Sequence, residues 1–108
     1  MAWKVKDLQT SGGKKLIESF IIVQERKTQA KITRMIITLG KYGPSLGMPF
    51  SKKIDKNLWE LRISGKEAIR IFYTFKGSEI VLLHIFKKKT ERIPQKEIKL
   101  ATQRIERL

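Results

Sequence analysis

A chain of 108 residues, 41% hydrophobic and 31% charged, has the size and composition of one folded domain rather than a disordered segment. It has no cysteine, which excludes a disulfide scaffold and a thiolate zinc site. Twenty-four Lys and Arg against ten Asp and Glu leave a net charge of +14, a self-repelling excess that calls for a polyanion, of which nucleic acid is the commonest.

At the start, Ala2 to Lys6 alternates apolar and basic residues and predicts a short strand. Lys4, Lys6 and Asp7 interrupt Met1–Leu8, so no signal-peptide core is present. Ser11-Gly12-Gly13 breaks the chain, and Gly12-Gly13-Lys14-Lys15 lacks the spacing of a phosphate-binding loop. Leu16, Ile17, Phe20 and Ile21 share one face of a helix over about 13–23. Ile32, Met35, Ile36 and Leu39 form the stripe of a second helix over about 28–41, which Gly40 and Gly43-Pro44 end.

Residues 43–57 read as a loop carrying Lys52 and Lys53. From Leu58 the period changes to two. Residues 58–63, 69–75 and 79–86 predict three strands joined by turns at Ser64–Glu67 and Lys76-Gly77, an antiparallel meander whose last strand is apolar and central. Tyr73 shares a side with Ile69 and Ile71 and reads as core. Ile80–Phe86 is the longest apolar stretch, far short of the ~20 residues of a membrane helix, so a cytoplasmic protein is expected. Pro94 can open a last helix with Ile98, Ala101, Ile105 and Leu108 on its buried stripe. The order β-α-α-β-β-β-α predicts an α+β fold, one domain over 1–108, with helices packed on one face of an antiparallel sheet.

The basic residues are unevenly placed. Residues 87–108 hold eight basic and three acidic side chains, 28–56 hold six and one, and the sheet segment 57–86 is nearly balanced at four and three. Two of the sheet's four, Arg62 and Arg70, fall on its less apolar faces. Arg62 could equally pair with Glu60 or another carboxylate, a contact of little energy. Arg70 interrupts a strand of Ile, Phe, Tyr and Thr, where a guanidinium is costly unless it meets an anion such as a phosphate. Lys87, Lys88 and Lys89 alone would read as a solvated turn; beside two sheet arginines they read as the rim of an anion cradle. His84, the only histidine, lies in an apolar strand and reads as structural, and no carboxylate cluster at ligand spacing predicts a metal or cofactor. An enzyme built on these residues would work through arginine and lysine, with tyrosine as a further candidate. RNA cleavage suits them, because the 2′-hydroxyl is an internal nucleophile that needs only alignment and charge stabilisation.

Leu58-Trp59-Glu60-Leu61-Arg62, Arg70-Ile71-Phe72-Tyr73, the run Ile80 to Thr90, and Pro94-x-x-Glu97-Ile98 together resemble the RelE/ParE superfamily of toxin–antitoxin toxins, in its HigB-type, phage-derived-like branch. Tyr42-Gly43-Pro44 and Gly47-Met48-Pro49 extend the resemblance upstream, over nearly the whole chain. It implies a microbial-RNase-like fold and metal-independent cleavage of messenger RNA on the translating ribosome. It also implies neutralisation by a HigA-like, helix-turn-helix antitoxin. By position, Arg70 matches the family arginine that stabilises the scissile phosphate, Arg62 another basic sheet residue, and Lys89 the place of RelE's arginine general acid. Leu58 and Glu60 stand where RelE carries two lysines, and no tyrosine near Gln95 replaces RelE's catalytic one. Glu60 could then serve as a base, with Lys52 and Lys53 supplying charge from the loop. Lys87, Lys88, Arg92, Lys96 and Lys99 complete the expected RNA and ribosome contacts. Two other readings stay open: a ParE-like inhibitor that binds DNA gyrase without catalysis, and a plain basic RNA-binding module.

Overall fold

A computed structural model describes residues 2–9 and 13–108. Its elements are β1 (Lys4–Asp7), α1 (Leu16–Ile21), α2 (Arg26–Tyr42), a 3-10 turn at Gly43–Ser45, β2 (Ser51–Asp55), β3 (Leu58–Ile63), β4 (Ile69–Lys76), β5 (Glu79–Lys87) and α3 (Gln95–Glu106). The five strands form one sheet in the order β1-β5-β4-β3-β2. The α+β class holds, and three details differ from the reading above. The sheet is mixed, because β1 runs parallel to β5 while the other pairings are antiparallel. The expected loop 43–57 contributes an edge strand, β2. The helices divide between the faces, α1 and α2 on one and α3 on the other. Of the Ser11-Gly12-Gly13 breaker, only Gly13 is among the described residues; it has a positive φ of 84°.

Side-chain alternation sorts the strands into two cores. Leu61, Ile63, Ile69, Ile71, Tyr73, Ile80, Leu82 and Ile85 face α1 and α2, where Ile17, Ile32 and Leu39 close the layer. Leu58, Phe72, Val81, Leu83 and Phe86 face the other way and meet Ala101 and the half-buried Ile98, Ile105 and Leu108 of α3. The final helix thus lays its i, i+3, i+7 stripe against β5 and β4. It is preceded by Pro94, which serves as its N-cap rather than its first helical residue. A bulge at Phe72/Tyr73 lets both β4 faces stay apolar across from β5.

Short contacts fix the helices to the sheet. α1 lacks a cap of its own, and Asp7 from β1 supplies one: its carboxylate accepts from the backbone N–H of Ile17 and Glu18 at 3.1 and 3.0 Å. α2 ends at Gly43, whose φ of 55° is one that glycine adopts without strain. A side chain there would also run into the Trp3 indole. Gly40 sits inside the helix because Val5 and the Trp3 carbonyl approach it, and the Trp3 N–H donates to the Gly40 carbonyl at 2.7 Å.

Candidate nucleic-acid interface

The α3 side of the sheet is covered over only part of its width. α3 packs mainly on β5 and β4, and the charged residues of this face lie on β2, β3 and the Arg70 end of β4. Register places them in two rows across the strands. Lys52, Glu60, Phe72 and His84 stand opposite one another in turn on β2, β3, β4 and β5. The next row runs from Arg62 to Arg70 to Phe86. The two arginines are therefore direct cross-strand partners, an arrangement of like charges that is unfavourable by itself.

Glu60 resolves it. Its side chain is only 2% exposed and lies between the two guanidiniums. Oε1 accepts from Arg62 Nε at 2.9 Å, and Oε2 stands 3.6 Å from Arg70 Nε, beyond hydrogen-bond range. Glu60 Oε2 and Arg70 Nε are the two buried side-chain polar atoms without a hydrogen-bond partner among the described residues. Arg70 Nη1 donates to its own Ile69 carbonyl at 3.1 Å. The arginine side chains keep 28% and 13% of their surface, so the group is a partly open cluster with one net positive charge. Such a cluster can take a phosphate: each guanidinium has donors left over, and the carboxylate holds both in place beforehand.

The flanking lysines do not all lie on this side. Lys52 is exposed beside Glu60. Lys53 alternates to the opposite face, its ammonium 5.2 Å from the Trp59 ring centre. Lys87 pairs in register with Ile69, a core residue of the α1/α2 face, and meets Glu67 at 2.7 Å. That hydrogen bond, ahead of the other causes, holds the Glu67 carboxyl below the usual range. Lys88, half-buried, donates its backbone N–H to Ala68 at 2.7 Å, and Lys89 follows, exposed. Lys66, Glu67, Ala68 and Lys87 to Lys89 line a cleft of about 450 Å³ at this end of the sheet. Lys31 of α2 lays its ammonium over nearby Gly65. Arg92 is exposed in the loop before α3, and Lys96 and Lys99 are exposed along that helix.

A second polar group was not legible in the sequence. His84 Nε2 lies 2.6 Å from Glu97 Oε2, and its Nδ1 lies 3.3 Å from Arg104 Nη1. One tautomer satisfies both contacts, with Nε2–H donating to the carboxylate and Nδ1 accepting from the guanidinium. Arg104 also donates to the Leu83 carbonyl at 2.6 Å, and burial pulls its guanidinium below the ordinary value. The histidine thus pins α3 to β5, as a satisfied structural residue. Tyr73 is core, 1% exposed, with its hydroxyl bonded to Ser51, and burial raises its ionisation above the usual phenol. Among the described residues no group of His, Asp and Glu is placed to hold a metal ion, and no helix is long and apolar enough to cross a membrane.

Fold and surface together define a small basic α+β domain with a partly uncovered sheet that carries paired arginines. Residues 19–106 match the family described as phage derived protein Gp49-like (DUF891), and the chain belongs to that family, which is RelE-like and associated with toxin–antitoxin systems. No curated protein sequence matches it.

Proposed function

We propose that the protein is the toxin of a type II toxin–antitoxin pair and acts as a metal-independent endoribonuclease on ribosome-bound messenger RNA, in the manner of HigB-type toxins. The observation that carries this reading is the Arg62–Glu60–Arg70 cluster on the open half of the sheet. Cleavage by the 2′-hydroxyl builds negative charge on a phosphate, and a preorganised guanidinium aimed at it stabilises the transition state more than the ground state. In this scheme Arg70 and Arg62 bind the scissile phosphate. Lys89, at the exposed end of the β5 run, protonates the leaving 5′-oxygen, and the proton of the attacking 2′-hydroxyl passes to solvent water. Glu60, with both oxygens turned to the arginines, acts as a positioning residue. Lys52, Lys88, Arg92, Lys96 and Lys99 carry the salt-sensitive attraction to RNA and the ribosome, and Lys53 and Lys87 extend the charge onto the opposite face. A co-produced antitoxin with an acidic surface would mask this charge.

A gyrase inhibitor has no use for a phosphate cradle, and a plain binding module has no use for two guanidiniums fixed by a buried carboxylate. The test is brief expression in a bacterium, with RNA 5′ ends mapped and plasmid supercoiling assayed in parallel. New ends within translated frames, absent with Arg70→Ala, are expected. Relaxed plasmid with intact messenger would establish the gyrase reading instead, and neither effect together with normal growth would refute the toxin reading.

A further inference from the structure

The arginine row extends one residue past Arg70 and Arg62, to an exposed aromatic. Ser51 pairs with Leu61, and one step back the Arg62 N–H donates to the Phe50 carbonyl at 2.8 Å, so Phe50 lies opposite Arg62 at the sheet margin. Ser51 turns inward to bond Tyr73, and the alternation of β2 continued one residue back into the turn would carry Phe50 to the arginine side with Lys52. The ring is 49% exposed, beside Met48 at 61%, and has no ring or cation partner among the described residues.

Its backbone is fixed on three sides. The N–H groups of Phe50 and Ser51 both donate to the Gly47 carbonyl, at 3.0 and 3.1 Å, and Arg62 holds the carbonyl. Half of a large apolar ring is thus presented to water from a hydrogen-bonded turn, where a disordered loop could have folded it away. Phe50, Arg62 and Arg70 lie in line across three adjacent chain segments, so Phe50 is two strand spacings, roughly 10 Å, from Arg70. That is within the reach of a base attached to a phosphate held between the arginines.

We propose that Phe50 is a stacking platform for one unpaired nucleobase of a single-stranded RNA whose backbone lies against Arg62 and Arg70. The inference rests on the reading of the arginine cluster as an RNA site and adds a subsite to it. A base offers a flat π face whatever its identity, and stacking on an aromatic ring is worth about 1–3 kcal/mol by alanine substitution. The neighbouring guanidiniums and Lys52 supply the phosphate contacts that such platforms are found with. An RNA duplex, whose bases are already stacked, gains nothing from the ring.

The experiment measures binding of the full chain to a short labelled 2′-O-methyl oligoribonucleotide, which cannot be cleaved, and to an abasic strand of the same length. The wild type should favour the base-bearing strand by roughly 5- to 150-fold, the span of one stacking contact. Phe50→Ala should close that gap by weakening only the base-bearing strand, and Phe50→Tyr should keep it open. Equal wild-type affinity for the two strands would overturn the proposal, as would equal weakening of both by Phe50→Ala, or failure of Phe50→Tyr to preserve the gap. It also falls if Phe50→Ala leaves RNA binding intact and weakens only the hold of a co-produced acidic protein, which would assign the ring to a protein interface. The nuclease reading is judged separately on programmed ribosomes. A gap closed by Phe50→Ala in a protein that cuts no messenger keeps the platform and removes the nuclease, and cleavage with no gap does the converse.

Discussion

Glu60→Gln tests how the arginine pair is held. Glutamine keeps the side-chain shape and replaces a buried carboxylate with a neutral amide between two guanidiniums that face each other in register. Removing one partner from a buried ion pair costs about 3–5 kcal/mol, because the other charge stays behind without compensation. Arg62 keeps 28% of its side-chain surface, so water screens part of its share, and a loss of about 2–4 kcal/mol is the reasonable figure. For a domain of this size each kcal/mol lowers Tm by about 4–8 °C, so a fall of roughly 10 °C or more should appear in calorimetry. Added salt should recover part of it by screening the arginine–arginine repulsion. Arg70→Met placed on Glu60→Gln should recover more, since it removes the stranded cation, and the double-mutant cycle should show coupling of about 0.5–3 kcal/mol. A Glu60→Gln protein melting within about 2 °C of the wild type would refute the argument, because a loss under ~0.5 kcal/mol means that the carboxylate neutralises neither arginine.

Arg70→Ala should slow single-turnover cleavage on programmed ribosomes by on the order of a hundredfold while ribosome association hardly changes; equal loss of binding with cleavage intact at saturation would make it one more phosphate contact. Lys96→Ala with Lys99→Ala should do the reverse, lowering the slope of log affinity against log salt by roughly 1.4–1.8 units, and an unchanged slope would take α3 out of the RNA contact. Tyr73 has its ionisation raised by burial, so its contribution to stability is full below about pH 10 and is lost as pH rises through the folded value. Tyr73→Phe should therefore lose less stability than the wild type between neutral and strongly alkaline pH, after a neutral-pH cost of about 1 kcal/mol for the stranded Ser51 hydroxyl. Parallel alkaline curves for the two proteins would contradict the burial argument.

Elements whose burial is periodic could be read from the sequence. The α2 stripe of Ile32, Met35, Ile36 and Leu39 follows from one buried face, and the alternation through β3 and β4 sorts their residues between two cores; both formed where their period put them. β2 could not be read so, since Ser-Lys-Lys-Ile-Asp is poor strand sequence and becomes a strand only by pairing with β3; its lysines then guard the free edge. The parallel placement of β1 beside β5 joins strands separated in the chain by two helices and three strands, which local pattern does not encode. Arg62 and Arg70 were visible because charge on a buried strand is conspicuous. Lys87 to Lys89 line one cleft together, but Lys87, the last residue of β5, pairs with Ile69 and so points to the helix side, which the run of three lysines did not reveal. The partners of His84 sit 13 and 20 residues away on α3, beyond any local spacing rule.

The sheet's two faces divide the work, and Glu60 joins the two tasks. The α1/α2 face is closed by aliphatic and aromatic side chains, and its charges, Lys53 and Lys87, stay exposed at the margins. The other face is closed mainly by α3 over β5 and β4, which leaves room for two guanidiniums where β3 and β4 pair, at a position where an uncovered apolar strand would invite aggregation. Two unneutralised cations in cross-strand register would repel each other and splay toward solvent. One carboxylate beneath them cancels a single charge, leaves the other, and sets the spacing of both forks. An anion arriving at this surface therefore meets donors that are already ordered, and the entropy of fixing them was spent when the sheet formed, which is the condition under which a guanidinium stabilises a transition state rather than merely attracting a strand.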